Sequence, residues 1–433
     1  MASAKTANNK RPNLNSRIDP VNNLRNRDYM SQPRYTIVAD PNSLRYEFYM
    51  RELDEFWRLR NRTPQIKTVS WSDLIDADGR IEEFDCNPDE SCLRIESPAR
   101  GFGVIRRLLQ AGQRATGVTE TKWDPMPGLN GWIASPRLIY RGLCHVLNGL
   151  QPASKMVQET GWLDSPNCSD VCQVFDKNAT SVRLKVNGLP TPNFIELETR
   201  EAITNQSDFL AEMRARKWRS AFLKLANGSC ASGIVFWERD RLMDSSGSKT
   251  THKNRAEMID QFTTTVTRIG DRFYNTRNVT QLSATECELI VQMILEEGAT
   301  IQEAVPAARI NGLKFDVRVV VLRGEVIATV FRASAHPMAN LHLGGIRADA
   351  NACRKLIPQR KWLDAMDACV EAANLWDVAI MGVDLIFERH TFDPYIIELN
   401  AFGDFLPNWK NSNGRSVHSL EIESTAKACG FIC

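Results

Sequence analysis

The apolar runs "VAIMGVDLIFE" (378–388) and "YIIELNA" (395–401) constrain this chain more than any other stretch, because polar residues break each run where a buried strand calls for Val or Ile. Paired about a turn centred near Thr391, the runs put Asp384 directly opposite Glu398, and alternation puts Asn400 on the face of Glu398. Directly opposed side chains have Cβ atoms roughly 4.5–5.5 Å apart, where like charges are destabilising. A cation must therefore join the two carboxylates. An arginine or lysine of the chain would make a structural ion pair, whereas a divalent metal would find two carboxylates and an amide an apt set of hard oxygen ligands. The two runs by themselves leave both readings open.

Charge and cysteine usage narrow the partners. The chain carries 54 Lys and Arg against 52 Asp and Glu, a net +2, which gives no electrostatic reason for wholesale nucleic-acid or membrane binding. Its eleven cysteines are scattered, and Cys168 and Cys172 have no nearby histidine to complete a zinc site, so reduced thiols in a cytoplasm are expected. No apolar run approaches the ~18 residues of a membrane span. The opening "MASAKTANNKRPNLNSRIDP" lacks the apolar core of a signal peptide.

Residues 1–33 are rich in Asn, Arg, Lys and Pro and nearly empty of large apolar side chains, which predicts a disordered basic tail. From Tyr35, short apolar runs alternate with amphipathic stretches: strand "YTIVAD", a helix from Ser43 to Arg60, strands "IKTVSW" and "CLRIES", and helix "GFGVIRRLLQAG". This alternation predicts an α/β domain with a parallel sheet over residues 34–150. Glu96, Ser97 and Arg100 fall at its ligand-facing edge, with Ser97 expected to cap the following helix.

A second unit over residues 174–433 opens with helix "VFDKNATSVRLKVNG", whose exit is enforced by Pro190 and Pro192. The segment "AFLKLANGSCASGIVFW" reads as strand, small-residue loop and strand, and the polar stretch at 240–280 as a long insertion or mobile loop. Helix "ATECELIVQMILEEG" and strands "TIQEAV", "KFDVRVVVLRG" and "EVIATVFRAS" follow, the last two a hairpin turned at Arg323-Gly324. A helix from Arg360 to Asn374 leads into the hairpin of the opening paragraph, which closes the fold. The loop "KLANGSCASG" (224–233) offers Gly228, Ser229, Ser232 and Gly233, whose small side chains let backbone N–H groups approach anionic oxygens, with Lys224 as a point charge. No Gly-Lys-Ser/Thr follows, so it is not a P-loop.

Taken in order from Asp176 to Pro407, these segments resemble the ATP-grasp superfamily of carboxylate–amine ligases, in motif style the glutathione synthetases and the ligases that add glutamate to a ribosomal protein. "DKNATSVRLKVNGLPTP" is similar to the family's opening helix, "FLKLANGSCASG" to its lysine strand and glycine-rich loop, and "TIQEAV" to its adenine hinge. "KFDVRVVVLRGEVIATVFR" is similar to its ribose and phosphate strands, "NLHLGG" to its loop beside the phosphates, and "GVDL…IIELNA" to its metal hairpin. The resemblance implies an α/β chain with an ATP-grasp fold, two α+β subdomains clamping ATP, preceded by a smaller Rossmann-like domain.

The resemblance also implies roles, residue by residue. Lys177 and Lys224 would contact nucleotide phosphates beneath the loop of Gly228, Ser229, Ser232 and Gly233. Gln302, Glu303 and Val305 would line adenine, and Asp316 would bind ribose hydroxyls. Arg318 or Arg332 would hold the transferred phosphoryl or the acyl phosphate, with Asn340 and His342 in a loop against the reacting phosphates. Asp384, Glu398 and Asn400 would hold two Mg²⁺ (or Mn²⁺) ions, Glu398 bridging. The implied reaction joins a small-molecule or peptide carboxylate to an amine through an acyl phosphate, releasing ADP and phosphate. A homo-oligomer is compatible with it, and neither membrane nor nucleic acid takes part. A kinase acting on a hydroxyl would use the same apparatus. A non-catalytic nucleotide-binding regulator is the third reading, against which the intact Lys177, Lys224, Asp384, Glu398 and Asn400 argue. Two departures stand out: Ala304 and Val305 replace bulkier hinge residues, and "NAFGDFLP" replaces the usual Asn-Ala-Ser-Pro-Gly ending, which bears on substrate identity.

Overall fold

The computed structural model describes residues 32–82, 84, 92–98, 101–118, 129–159, 167–228, 232–241, 258–338, 341–403, 406–429 and 431–432. The expected basic tail therefore lies almost entirely outside the described residues. Three sheets organise the chain. The first holds β1 (Arg34–Ala39), β2 (Gln65–Ser70) and β3 (Leu93–Ile95) in the order β2-β1-β3, with β1 parallel to both neighbours. Helix α1 (Leu44–Arg58) makes the crossover from β1 to β2; Ser43 caps it, accepting from the Tyr46 amide, and its buried face is Tyr49, Leu53, Phe56 and Trp57.

Helix α2 (Trp71–Leu74) follows β2 behind a Ser70–Asp73 capping box, and α3 (Phe102–Thr116) packs along α4 (Pro136–Glu159). The close approach of α3 and α4 requires glycine: a Cβ on Gly112 would lie 1.9 Å from the Leu138 carbonyl oxygen, and one on Gly142 would lie 1.8 Å from that of Leu108. Ser97 does not cap α3. The N-cap is Gly101, without a side-chain hydrogen bond, and the Ser97 hydroxyl turns to the Pro98 carbonyl instead.

Helices α5 (Cys168–Phe175), α6 (Lys177–Val186), α7 (Leu197–Glu201) and α8 (Gln206–Ala215) lead into the second sheet. Cys168 and Cys172, one turn apart on α5, are buried packing residues. The second sheet comprises β4 (Ser220–Leu225), β5 (Ile234–Arg241), β6 (Met258–Ile269), β7 (Arg272–Gln281) and β8 (Ala299–Glu303) in the order β7-β6-β5-β4-β8, with α9 (Ala284–Glu296) packed on it. The expectation of an irregular loop over 240–280 is corrected here, since β6 and β7 form a long antiparallel hairpin across most of it. Threonine explains the difference. "QFTTTVT" carries β-branched side chains that suit a pleated surface, and Thr264 and Thr265 are fully buried despite their hydroxyls, which hydrogen-bond to the Ile234 carbonyl and to Asn275.

The third sheet contains β9 (Arg309–Ile310), β10 (Leu313–Leu322), β11 (Glu325–Ser334), β12 (Ile346–Arg347), β13 (Ile380–Phe387) and β14 (Pro394–Asn400), ordered β12-β11-β10-β13-β14 with β9 against β10. Helices α10 (Ala350–Leu356) and α11 (Gln359–Ala373) cover its apolar face, where Trp362 stacks between Phe331 and Phe387. The chain does not end with the β13–β14 hairpin. Helix α12 (Val417–Ala428) returns to α1, so that Ile422 and Ala426 share a core with Tyr35, Ile37, Leu53 and Trp57. Beside that core, buried Arg94 pairs with Glu96 and with Glu421 of α12. No helix among the described residues is long and apolar enough to cross a membrane.

Candidate active site

The register of the third sheet gathers its charges on one face. Asp316 on β10 lies opposite Arg332 on β11; Arg318, two residues on, lies opposite Asp384 on β13, which lies opposite Glu398 on β14. The sequence-based pairing of Asp384 with Glu398 is thus observed. Beyond it the register slips by one residue: Leu385 pairs with Ile396 and leaves Ile397 as a bulge, which lets the polar face and the apolar face of Ile396 coexist on one strand.

The structure supplies the compensating cations from the protein. Arg332 forks onto Asp316 with Nε and Nη2 at 2.7 and 2.8 Å from the two carboxylate oxygens, and its Nη2 also donates to Asp384 Oδ1 at 2.9 Å. Arg318 Nη2 donates to Asp384 Oδ2 at 3.1 Å, with Nε 2.6 Å from Oδ1. Burial opposes ionisation of Asp384, but the two guanidiniums outweigh it and hold its carboxyl below the usual range. Asp316 differs: burial dominates and, with the charge of Asp384, lifts its carboxyl to about 6 despite the Arg332 fork. Glu398 is more open, and its ion-pair partner among the described residues is Lys177 Nζ at 3.5 Å.

Facing this sheet across a cavity of about 320 Å³ stands the second sheet. Lys224, Gln302, Glu303 and Val305 line one side, and Asp316, Arg332, Asp384 and Glu398 the other. Lys224 is buried, which pulls its ammonium pKa down to about 8. Several lining residues had not been singled out in the sequence, among them Phe222, Phe236, Lys314, Met338 and Arg389. Phe222 was within reach of alternation, because it sits two residues before Lys224 on the same strand face, with Phe236 at 5.1 Å between ring centroids.

Lys177, Arg318, Asn400, Gly228, Ser232 and Gly233 are not among the residues that line this cavity. Lys177 is the first residue of α6, which Asp176 caps; its amine donates to the Gly228 carbonyl, tying the helix start to the glycine turn. The glycines of that turn also have a steric reason. Gly233 has φ +62°, and a Cβ there would lie 2.2 Å from a Leu225 methyl. Ser229 and Asn340 lie outside the described residues. The backbone at His342 belongs to a short 3-10 turn.

The fit of a divalent cation can be judged from the donors. Asn400 Nδ2 is buried with no hydrogen-bond partner among the described residues; rotating the amide by 180° would put its oxygen there, a position a cation satisfies. Among the described residues no cluster of three or more His, Cys, Asp or Glu could hold a metal ion. Asp384, Glu398 and Asn400 would hold Mg²⁺ in the way that ion is usually held, by one or two carboxylates with phosphates completing the shell. Asp384 would have to exchange at least one arginine contact for the cation.

With this geometry in view, residues 268–408 match the family model described as a RimK-like ATP-grasp domain. That third of the chain is similar to an ATP-grasp domain. The ATP-grasp match starts within β6 and ends after the β13–β14 hairpin, so it contains Gln302, Asp316, Arg332, Asp384 and Glu398, while Lys177 and Lys224 precede it. Over 116 residues the chain is 28% identical to the coenzyme gamma-F420-2:alpha-L-glutamate ligase of Methanocaldococcus jannaschii, a stretch covering 27% of this chain and 36% of that protein. It thus spans little more than a third of that relative's length. Two solved structures are also similar: D-cycloserine synthetase (13% identity, 92% of this chain and 100% of that one, TM-score 0.46) and the ATP complex of D-alanine–D-alanine ligase from Bacillus anthracis (12%, 92% and 97%, TM-score 0.46).

Proposed function

We propose that this chain is an ATP-dependent carboxylate–amine ligase that forms an amide or peptide bond through an acyl phosphate and releases ADP and phosphate. The observation that carries the reading is the cavity itself: a buried lysine and a strand-end hinge on one wall, and an Asp316–Arg332–Asp384–Glu398 face on the other. The ATP-grasp match over the second wall supports it. Glu303 and Val305 would receive the base and Asp316 the ribose. Lys224, with Lys177 beside it, would neutralise the phosphates.

In the first half-reaction a substrate carboxylate oxygen attacks the γ-phosphorus, the bond to the β–γ bridging oxygen breaks, and ADP leaves. Arg332 and Arg318 would compensate charge on the transferring group, whose transition state needs positioning and electrostatics rather than a covalent nucleophile. Mg²⁺, when bound by Asp384, Glu398 and Asn400, would supply Lewis-acid compensation of the phosphate oxygens. In the second half-reaction the amine attacks the acyl carbonyl, phosphate departs and the amine loses a proton. A cytoplasmic setting belongs to the same proposal; the cysteines among the described residues are free thiols, which supports it.

Hydroxylamine separates this reading from phosphorylation of a hydroxyl, because an acyl phosphate is an activated carbonyl that a small nucleophile intercepts. Incubation with ATP, Mg²⁺, hydroxylamine and a panel of amino acids and short peptides should yield a hydroxamate and ADP in equal amounts with the correct acid. L-Glutamate, named in the curated relative, is the first amine to try in place of hydroxylamine. A stable phosphate ester insensitive to hydroxylamine would replace the ligase with a kinase, and AMP with pyrophosphate would exclude both.

A further inference from the structure

Gln302 is buried at 3% exposure, and both ends of its side-chain amide are committed. Its Oε1 accepts from Lys224 Nζ at 2.9 Å, and its Nε2 donates to Ser181 Oγ at 3.1 Å. The Ser181 hydroxyl donates to the Lys177 backbone carbonyl at 2.8 Å, which leaves its oxygen lone pairs to accept from Gln302. The orientation of the amide follows from chemistry. Turned the other way, it would press an NH₂ group against an ammonium that accepts nothing.

The contact is built by sheet register. Lys224 pairs with Thr300 and Gln302 with Phe222 across β4 and β8, so Lys224 and Gln302 are diagonal neighbours, a separation that long side chains span. Among the described residues Lys224 forms no ion pair, so the Gln302 oxygen is its hydrogen-bond acceptor in the cavity wall. Burial already weakens the hold of Lys224 on its proton. An acceptor at 2.9 Å both favours the charged form and fixes where the charge points.

We propose that Gln302 is a positioning residue for Lys224, setting that ammonium against the nucleotide phosphates, and that it does not read the base. This rests on the ATP-binding reading above and adds to it that discrimination of the base belongs to other groups of the hinge. The chain Lys224–Gln302–Ser181 continues to the backbone carbonyl of Lys177, which anchors the Gln302 amide to the first turn of α6, while the Lys177 amine itself is held by the Gly228 carbonyl.

The test is calorimetric titration of the full chain with ATP, ADP, GTP and adenosine in the presence of Mg²⁺, for wild type, Gln302→Leu, Lys224→Ala and the double variant. Positioning predicts that Gln302→Leu weakens ATP and ADP about tenfold, the scale of a hydrogen bond to a charged group. Adenosine affinity and the ATP-to-GTP preference should stay within twofold of wild type. The double variant should bind ATP no more weakly than Lys224→Ala alone, because the two losses are one interaction. Where adenosine binds too weakly to measure, the GTP preference and the double-variant comparison decide. If Gln302→Leu does not fold, Gln302→Glu takes its place: it keeps the contact but neutralises Lys224, so ATP and ADP should weaken with the base preference intact.

Additive losses in the double variant, or a relaxed ATP-to-GTP preference, would overturn the inference while leaving the nucleotide site standing. Absence of ATP binding to the wild type would overturn the site and the inference together.

Discussion

Replacing Asp384 by asparagine is expected to lower the unfolding free energy of the nucleotide-free protein by about 3–5 kcal/mol, the cost of breaking a buried ion pair by removing one partner. Asp384 is 7% exposed and compensates two guanidiniums, Arg318 and Arg332, while Asp316 takes the fork of Arg332. The substitution removes the carboxylate that the two guanidiniums share, at a place where Arg332 is buried and only about a tenth of either arginine side chain is exposed. Contrast with the surface decides which effect wins: Lys185 and Glu196 pair at 2.7 Å with more than half of each side chain exposed, and such pairs contribute about 0–1 kcal/mol. Urea denaturation should show a lower midpoint with an unchanged slope. A wild-type midpoint would mean that the four-residue charge cluster does not hold this sheet face together.

Glu398→Gln should do the reverse. Glu398 has 30% of its side chain exposed, and its ion-pair partner among the described residues is a single lysine at 3.5 Å, so the nucleotide-free fold should change by less than about 1 kcal/mol. Removing the charge also relieves repulsion with the opposed Asp384. ADP formation should nevertheless fall by roughly 10²–10³-fold or more, because a ligand of the Mg²⁺ that would compensate the transferring phosphoryl is lost. Denaturation and ADP release measured on the same preparation distinguish the outcomes. An unfolded variant would make Glu398 a structural anion, and wild-type turnover would remove it from the chemistry.

The pairing of Asp384 with Glu398 was legible because a hairpin's two strands and its turn are contiguous, so counting from the turn fixes the register. The choice between a protein cation and a metal was not legible. It depends on Arg318 and Arg332 reaching Asp384 across strands more than fifty residues away, and only the packed sheet supplies that register. The structure answers with two arginines, and leaves Asn400 Nδ2 without a partner among the described residues on the same strand as Glu398. The hairpin β6–β7 was missed because threonine counts as polar in a periodicity reading while its branched side chain favours a strand. Helix α12 was missed for another reason: its role is to cover α1, nearly 370 residues earlier in the chain, and no local pattern encodes that contact. Ser97 had the composition of a cap, but Pro98 follows it and the helix begins four residues later, out of its reach.

The central claim is that the cavity between the two sheets is a site for ATP with a divalent cation, and calorimetric titration of ATP with and without Mg²⁺, into wild type and Lys224→Ala, tests it most directly. The wild type should bind ATP strongly only when Mg²⁺ is present, and at one hundred times the dissociation constant the fold should gain about 2.7 kcal/mol. Lys224→Ala should weaken that binding without unfolding the protein. Equal binding with and without Mg²⁺, or wild-type affinity in Lys224→Ala, would contradict the account.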